Sequence, residues 1–115
     1  MCAVPESAST LDTTFHALSN TTRRAVVERL RHGPATVSEL AEPFAMALPS
    51  FMEHVRVLEK CGLVRSWKQG RVRRVRIVPG RLKRAAGWLD EQRAIWEQRL
   101  DQFDTYVKGM EGTDE

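Results

Sequence analysis

The sequence predicts a mainly α-helical domain that carries one small β-hairpin. Apolar residues recur at helical spacing over most of the chain, but they alternate with polar ones between residues 63 and 78. Pro and Gly punctuate the helical stretches at positions that suit helix ends. These two observations together favour several short helices, then a hairpin, then one long helix.

Charge is segregated along the chain. Residues 56–84 hold eleven basic residues and one acid, Glu59, whereas the segments before and after this stretch are net negative. A block with a net charge of +10 cannot be neutralised by its own neighbours. The pattern therefore indicates an external polyanion as partner, with nucleic acid as the first candidate.

A chain of 115 residues suits one domain. We predict a flexible tail over 1–9, a single domain over 10–108 and an acidic, disordered tail over 109–115. The sequence shows no export signal and no apolar run of about 18 residues, so a cytoplasmic location is expected. Cys2 and Cys61 form no spaced pair and are expected as thiols, Cys61 as a small buried residue. A redox-sensing role for either is left open.

The first two helices follow from apolar spacing and capping residues. The first is predicted from residue 10 to just before Asn20, because three apolar residues fall on one face: Leu11, Phe15 and Leu18. Asn20 is suited to cap a second helix that ends at Arg31. Gly33 and Pro34 then prevent its continuation.

The next two helices are short and closely spaced. Thr36 and Glu39 fit a capping box at the start of the third helix, and Pro43 limits its length. Pro49 is acceptable in the first turn of the fourth helix, which closes near Gly62. The apolar stripe of this fourth helix comprises Leu48, Phe51, Val55 and Leu58.

A hairpin and a long helix complete the chain. Residues 63–67 and 74–78 are predicted as strands, joined by a basic turn over 68–71. The last helix is predicted over 81–107, about 40 Å in length. Its seam has coiled-coil spacing, which favours burial against a second copy of the chain over packing on its own domain. The seam positions are Leu82, Ala86, Leu89, Arg93, Trp96, Leu100, Phe103 and Val107.

This order of elements is that of a winged helix-turn-helix. The fourth helix is the right size to enter a DNA major groove, the third helix braces it, and the hairpin reaches the adjacent backbone. The candidate DNA-binding residues lie on these three elements: Thr36, Ser38, Ser50, Met52, Glu53, His54, Arg56, Lys60, Lys68, Gln69, Arg71 and Arg73.

The sequence resembles the ArsR/SmtB-type family of bacterial transcription repressors. Three segments carry the resemblance: LSNTTRRAVVERL, TVSELAEPFAMALPSFMEHVRVLEKCGLV and GRVRRVRI. It implies a homodimer formed through the first and last helices that releases its operator in response to a signal. The implied interface residues are Leu11, Phe15, Leu82, Leu89, Trp96, Leu100, Phe103 and Val107.

The chain departs from the family pattern at the start of its fourth helix. Ala47 stands where a Ser is usual, and Met52 and Glu53 stand where Ser and a basic residue are common. A carboxylate at position 53 repels phosphate but can accept a hydrogen bond from cytosine N4. Family-average base preferences are therefore not expected to transfer.

No metal or cofactor is expected. Metal-sensing relatives place thiolates where this chain has Thr36 and Ser38, and the three histidines fall in separate elements: His16, His32 and His54. A small-molecule effector is left open. Four aromatic residues of the last helix are interpreted as interface rather than as an effector pocket: Trp88, Trp96, Phe103 and Tyr106.

Other classes of function are less well supported. No enzyme motif is present, so an enzyme is not expected. A winged-helix protein-interaction module with only non-specific DNA affinity remains the alternative, motivated by Met52 and Glu53. An RNA-binding domain is weaker, because Trp67 is the one candidate stacking residue near the basic block.

Overall fold

The computed structural model describes residues 6–112, and side chains within residues 10–110. This part of the chain contains five helices and three short strands, and the mainly helical class with a hairpin is confirmed. In chain order the elements are α1 Glu6–Leu18, α2 Thr21–Leu30, β1 Ala35–Thr36, α3 Val37–Ala41, α4 Leu48–Lys60, β2 Val64–Gln69, β3 Val72–Ile77 and α5 Pro79–Gly112.

Both predicted N-caps are present. The side chain of Asn20 accepts a hydrogen bond from the Arg23 backbone N–H at 3.1 Å, and Thr36 Oγ1 accepts one from the Glu39 N–H at 3.1 Å. Each satisfies a backbone donor that the first helical turn leaves open. The capping box is only half formed, because the Glu39 carboxylate lies 3.8 Å from the Arg29 guanidinium instead.

The sheet is antiparallel, with the strand order β1-β3-β2. The hairpin turn is shorter than predicted, since Lys68 and Gln69 belong to β2 and only Gly70 and Arg71 connect the strands. Gly70 has φ +66 while Arg71 does not have a positive φ, the pattern of a type II′ turn. The backbone twist of a type II′ turn matches the right-handed twist of the paired strands.

The core lies between α1, α2, α3, α4 and the inner face of the sheet. Phe51 is fully buried, and its ring stacks on Phe44 with centroids 5.7 Å apart. The predicted stripe of α4 is confirmed except for Leu48, which is 52% exposed. Leu48 lies in the first turn of α4. The other largest fully buried side chains are Leu30, Leu58, Leu63, Val26, Val55, Val64, Val75 and Thr14.

Both ends of the domain differ from the prediction. α1 begins at Glu6, so residues 6–9 are helical rather than part of a tail, and no Gly or Pro interrupts them. α5 begins at Pro79, which is tolerated in a first turn, and ends at Gly112. Residues 109–112 are therefore helical too, because Gly109 alone does not break a helix. The remaining parts of the predicted tails, 1–5 and 113–115, lie outside the described residues, as does Cys2.

The chain divides into two compact units after Ala85. The first holds the core and the sheet, together with the start of α5, where Ala85 is buried and Leu82 packs against the core. The second is the rest of α5, which leaves large apolar side chains exposed. No helix among the described residues is long and apolar enough to cross a membrane.

Candidate nucleic-acid interface

The exposed face of α4 carries four of the predicted DNA-binding residues: Ser50, Glu53, Arg56 and Lys60. α4 follows α3 after six residues, so α3 and α4 form the predicted helix-turn-helix. Arg56 donates to the Glu53 carboxylate one helical turn away. The acid that departs from the family pattern is therefore paired with the neighbouring Arg56.

Two further candidates on α4 are partly withdrawn from the surface. Met52 is half-buried and packs against the core. His54 is also half-buried, and its Nδ1 lies 3.1 Å from a guanidinium nitrogen of Arg23 on α2. On α3, Ser38 is exposed, whereas Thr36 is half-buried and uses its hydroxyl as the helix cap. Met52 and Thr36 are thus engaged in the fold and offer less to a ligand than the pattern indicated.

The hairpin presents all four of its predicted residues to solvent: Lys68, Gln69, Arg71 and Arg73. Lys68 lies directly opposite Arg73 across the strands, and Arg65 lies opposite Arg76. Like charges at directly paired positions destabilise a hairpin. A polyanion that neutralised them would relieve this repulsion.

A hydrogen-bond chain joins the hairpin to α4. Glu59 Oε1 accepts from both the backbone N–H of Ser66 at 3.1 Å and the Ser66 hydroxyl at 2.8 Å. Arg73 Nη1 in turn donates to the Ser66 hydroxyl oxygen at 2.7 Å. The sequence marked Glu59 only as the one acid in the basic block. The structure shows that Glu59 joins the β2–β3 hairpin, hereafter the wing, to α4. Its position in the sequence did not reveal this role.

Replacing Glu59 with Ala should loosen the wing. Hydrogen bonds to a charged group contribute about 1.5–3 kcal/mol, and the exposure of this pair favours the low end. We expect the free energy of unfolding to fall by about 1–2 kcal/mol, with faster hydrogen exchange at the Ser66 amide. Glu53→Ala is the matched control, since it removes an acid from the same helix without touching the hairpin. If the Ser66 amide exchanged hydrogen at the same rate in both variants, Glu59 would not be holding the wing to α4.

Cys61 lies at the end of α4 and is half-buried. Its Sγ donates a hydrogen bond to the Leu58 carbonyl at 3.3 Å, and burial raises the pKa of the thiol. The reactive thiolate is therefore disfavoured at neutral pH. Among residues 10–110, no group of three or more His, Cys, Asp or Glu side chains is arranged to hold a metal ion.

The predicted interface residues fall into two groups by exposure. Leu11, Leu82 and Val107 are half-buried, and the others are exposed within the single chain: Phe15, Leu89, Trp96, Leu100 and Phe103. Arg93, the polar interruption of the seam, lies 3.3 Å from Asp90 and 3.7 Å from Glu97 of its own helix. The four aromatic residues considered for an effector pocket are all exposed on α5.

Comparison with known proteins places this geometry in a family. The helix-turn-helix domain family matches residues 18–66, from the end of α1 into β2. The crystal structure of an ArsR family transcriptional regulator is 50% identical, and the match covers 84% of this chain and 97% of that one with a TM-score of 0.72.

Two curated relatives match over shorter stretches. The HTH-type transcriptional regulator Rv2034 of Mycobacterium tuberculosis is 45% identical over 53 residues, which is 46% of this chain and 50% of the relative. The transcriptional repressor SdpR of Bacillus subtilis is 28% identical over 60 residues, 52% of this chain and 67% of SdpR. The chain thus spans only half the length of the first of these relatives.

Proposed function

The chain belongs to the ArsR family of transcriptional regulators, and from this premise we propose that it is a dimeric, sequence-specific DNA-binding repressor of the cytoplasm and not an enzyme. In this proposal each copy inserts α4 into a major groove and lays its wing on the adjacent backbone. Two copies read a pseudo-palindromic operator whose half-sites lie about one helical turn, 34–36 Å, apart or a multiple of that. The relative named as a transcriptional repressor supports the direction of control.

The observation that carries the proposal is the tether between the wing and α4. Glu59 and Ser66 hold the basic hairpin against the helix whose polar face is exposed. A fixed distance between the two elements lets both contact one DNA duplex without ordering a loose arm on binding. The basic residues of the wing and of α4 thereby have fixed positions relative to one another.

The two elements have different tasks in this proposal. Wing cations such as Lys68 and Arg71 neutralise phosphates, which supplies affinity without reading sequence. Residues on the exposed face of α4 contact base edges and read sequence. Because Glu53 pairs with Arg56, their joint arrangement decides which base edges the helix accepts.

Binding measured against salt concentration tests the proposal. Substituting Arg71 or Lys68 with Ala should weaken binding to all sequences alike and reduce the slope of log K against log[salt] by about one for each phosphate that the variant no longer neutralises. Ser50→Ala and Glu53→Ala should instead change which sequence is preferred. Arg99→Ala, which removes an exposed cation from α5, is the control and should leave the slope unchanged. A flat salt response of the unsubstituted protein would overturn the proposal.

The alternative is a winged-helix protein-interaction module with only non-specific DNA affinity. The partial burial of Met52 and the pairing of Glu53 with Arg56 favour it, because both reduce what α4 offers to bases. A competition between the DNA upstream of its own gene and random DNA separates the two functions. Equal affinity for both would support the module.

A further inference from the structure

Arg23 joins three helices through one guanidinium group. Its Nε donates to the Ala17 carbonyl at 2.7 Å and its Nη2 to the His16 carbonyl at 3.3 Å, both at the end of α1. Its Nη1 lies 3.1 Å from Nδ1 of His54 on α4. The planar fork of an arginine can make these contacts at once, whereas a lysine has a single nitrogen to offer. Arg23 thus connects the end of α1 with the middle of the candidate recognition helix.

The chemistry of this contact limits which form of the imidazole can make it. A guanidinium group stays protonated and offers only N–H donors, so it cannot accept a hydrogen bond. Nδ1 of His54 must therefore accept, which requires a lone pair on that nitrogen. The imidazole form that has this lone pair and still carries a proton is the Nε2–H tautomer.

We infer that Arg23 holds His54 as the Nε2–H tautomer, so that α4 presents a hydrogen-bond donor at this position and His54 selects a base with a major-groove acceptor. Guanine offers N7 and O6, adenine offers N7, and thymine offers O4, whereas cytosine offers only its N4 donor. His54 therefore disfavours cytosine at the base that it contacts. This inference rests on the proposed DNA-binding function. It makes His54 a specificity-determining residue and Arg23 a positioning residue.

The neighbouring acid has the opposite preference. Glu53 carries only acceptors, which suit cytosine N4 or adenine N6. Glu53 thus offers an acceptor and is held by the Arg56 guanidinium group, whereas His54 offers a donor and is held by the Arg23 guanidinium group. This arrangement provides discrimination that a helix face of interchangeable charged residues would lack.

Arg24 provides a matched control. It follows Arg23 on α2, and its Nη1 donates to the Leu18 carbonyl at 2.8 Å, again at the end of α1. Each of the variants Arg23→Ala and Arg24→Ala removes one positive charge; the first also removes two hydrogen bonds to this helix end and the second removes one. Only Arg23 contacts His54, so a difference between the variants in the state of that imidazole reports the proposed role.

The first experiment measures the tautomer without DNA. Long-range ¹H–¹⁵N correlation spectra at neutral to mildly alkaline pH distinguish Nε2–H from Nδ1–H rings, and the loss of signals in His54→Asn assigns those of His54. We expect the Nε2–H pattern in the unsubstituted protein and in Arg24→Ala, and a mixture of both tautomers in Arg23→Ala. An Nδ1–H pattern in the unsubstituted protein, or no change in Arg23→Ala, would overturn the inference.

The second experiment measures base preference on a selected operator in which each position is changed in turn to cytosine. The unsubstituted protein should lose about tenfold to a hundredfold in affinity when the base contacted by His54 becomes cytosine. His54→Asn keeps an acceptor near the place of Nδ1, and so keeps the contact to Arg23, but it has no donor at the place of Nε2. We expect this variant to lose the discrimination at that one position.

The outcomes separate the inference from the function on which it rests. Arg23→Ala should weaken the same discrimination while Arg24→Ala preserves it. A uniform loss of affinity in Arg23→Ala, or an unchanged preference in His54→Asn, would mean that the pair is only structural and would overturn the inference. If the unsubstituted protein bound all sequences equally, the proposed function and the base selection would fail together, while the tautomer experiment would still decide the role of Arg23.

Discussion

Replacing Trp96 and Leu100 together with glutamate should halve the mass of the protein in solution and lower its affinity for a two-half-site operator by about 10²–10⁴-fold. Trp96 and Leu100 are both 61% exposed in the single chain and lie one turn apart on the same face of α5. Monomeric proteins rarely expose contiguous apolar patches of more than a few hundred Å². We propose that a second copy covers this face. In the variant, association would have to bury the two introduced glutamate carboxylates unpaired at the centre of the interface.

The drop in affinity follows from separating the two DNA-binding units and not from the loss of any DNA contact. Two joined DNA-binding units bind their half-sites with an avidity about 10²–10⁴-fold above that of one unit. Separating the copies removes this gain and leaves each α4 and wing intact. Light scattering measures the mass, and a gel-shift titration on operators with one and two half-sites measures the affinity.

The double substitution Ala94→Glu and Gln98→Glu is the control. It places two acids at the same i, i+4 spacing on the same helix, but away from the seam. Circular dichroism should show equal helix content in both double variants. A monomeric mass for the unsubstituted protein at micromolar concentration, or a dimer that survives the Trp96 and Leu100 substitutions, would contradict dimerisation through this seam.

The features that local chemistry determines were predictable from the sequence. Asn20 and Thr36 cap helices because a side-chain oxygen reaches a backbone N–H three residues away, so a short window of sequence contains both partners. The order of helices and hairpin follows from the change of apolar period after Gly62. Gly62 itself has φ +85 and ends α4 in a conformation that favours glycine.

The features that depend on distant partners were not predictable. β1 is two residues long and exists because Ala35 and Thr36 pair with β3, so no alternation within β1 could reveal it. The contact between Arg23 and His54 spans 31 residues, and nothing in either local sequence marks it. The role of Glu59 likewise depends on how the chain turns into β2. The candidate site was therefore found by residue type and element, while its internal contacts required the structure.

Leu48 shows where periodicity is ambiguous even within one helix. It shares the helical spacing of Phe51, Val55 and Leu58, yet it is exposed. Spacing identifies a face of α4 but not the point along the helix at which neighbouring elements begin to cover that face. When the first turn of a helix extends beyond the core, the apolar residue in that turn stays exposed while those farther along the same face are buried.

Replacing Phe51 with Ala should lower the free energy of unfolding by about 3–5 kcal/mol, the range for removing a buried aromatic ring. Phe51 is 0% exposed and stacks on Phe44, so the substitution removes buried area and leaves a cavity beside the segment that joins α3 to α4. Because natural domains have about 5–15 kcal/mol of stability in total, this one change removes a large share of it. Urea denaturation should show a lower midpoint with little change in slope.

Leu48→Ala, one turn earlier on α4, provides the matched comparison. If apolar spacing alone decided burial, both substitutions would cost several kcal/mol, whereas exposure of Leu48 predicts a change within about 0.5 kcal/mol. The two variants must be compared at equal protein concentration, because association would make apparent stability depend on it. Equal losses would show that Leu48 is covered in solution. A small loss in Phe51→Ala would show that α4 is not anchored through this ring and that Val55 and Leu58, which share the core with Val64 and Val75 of the strands, hold the helix in place.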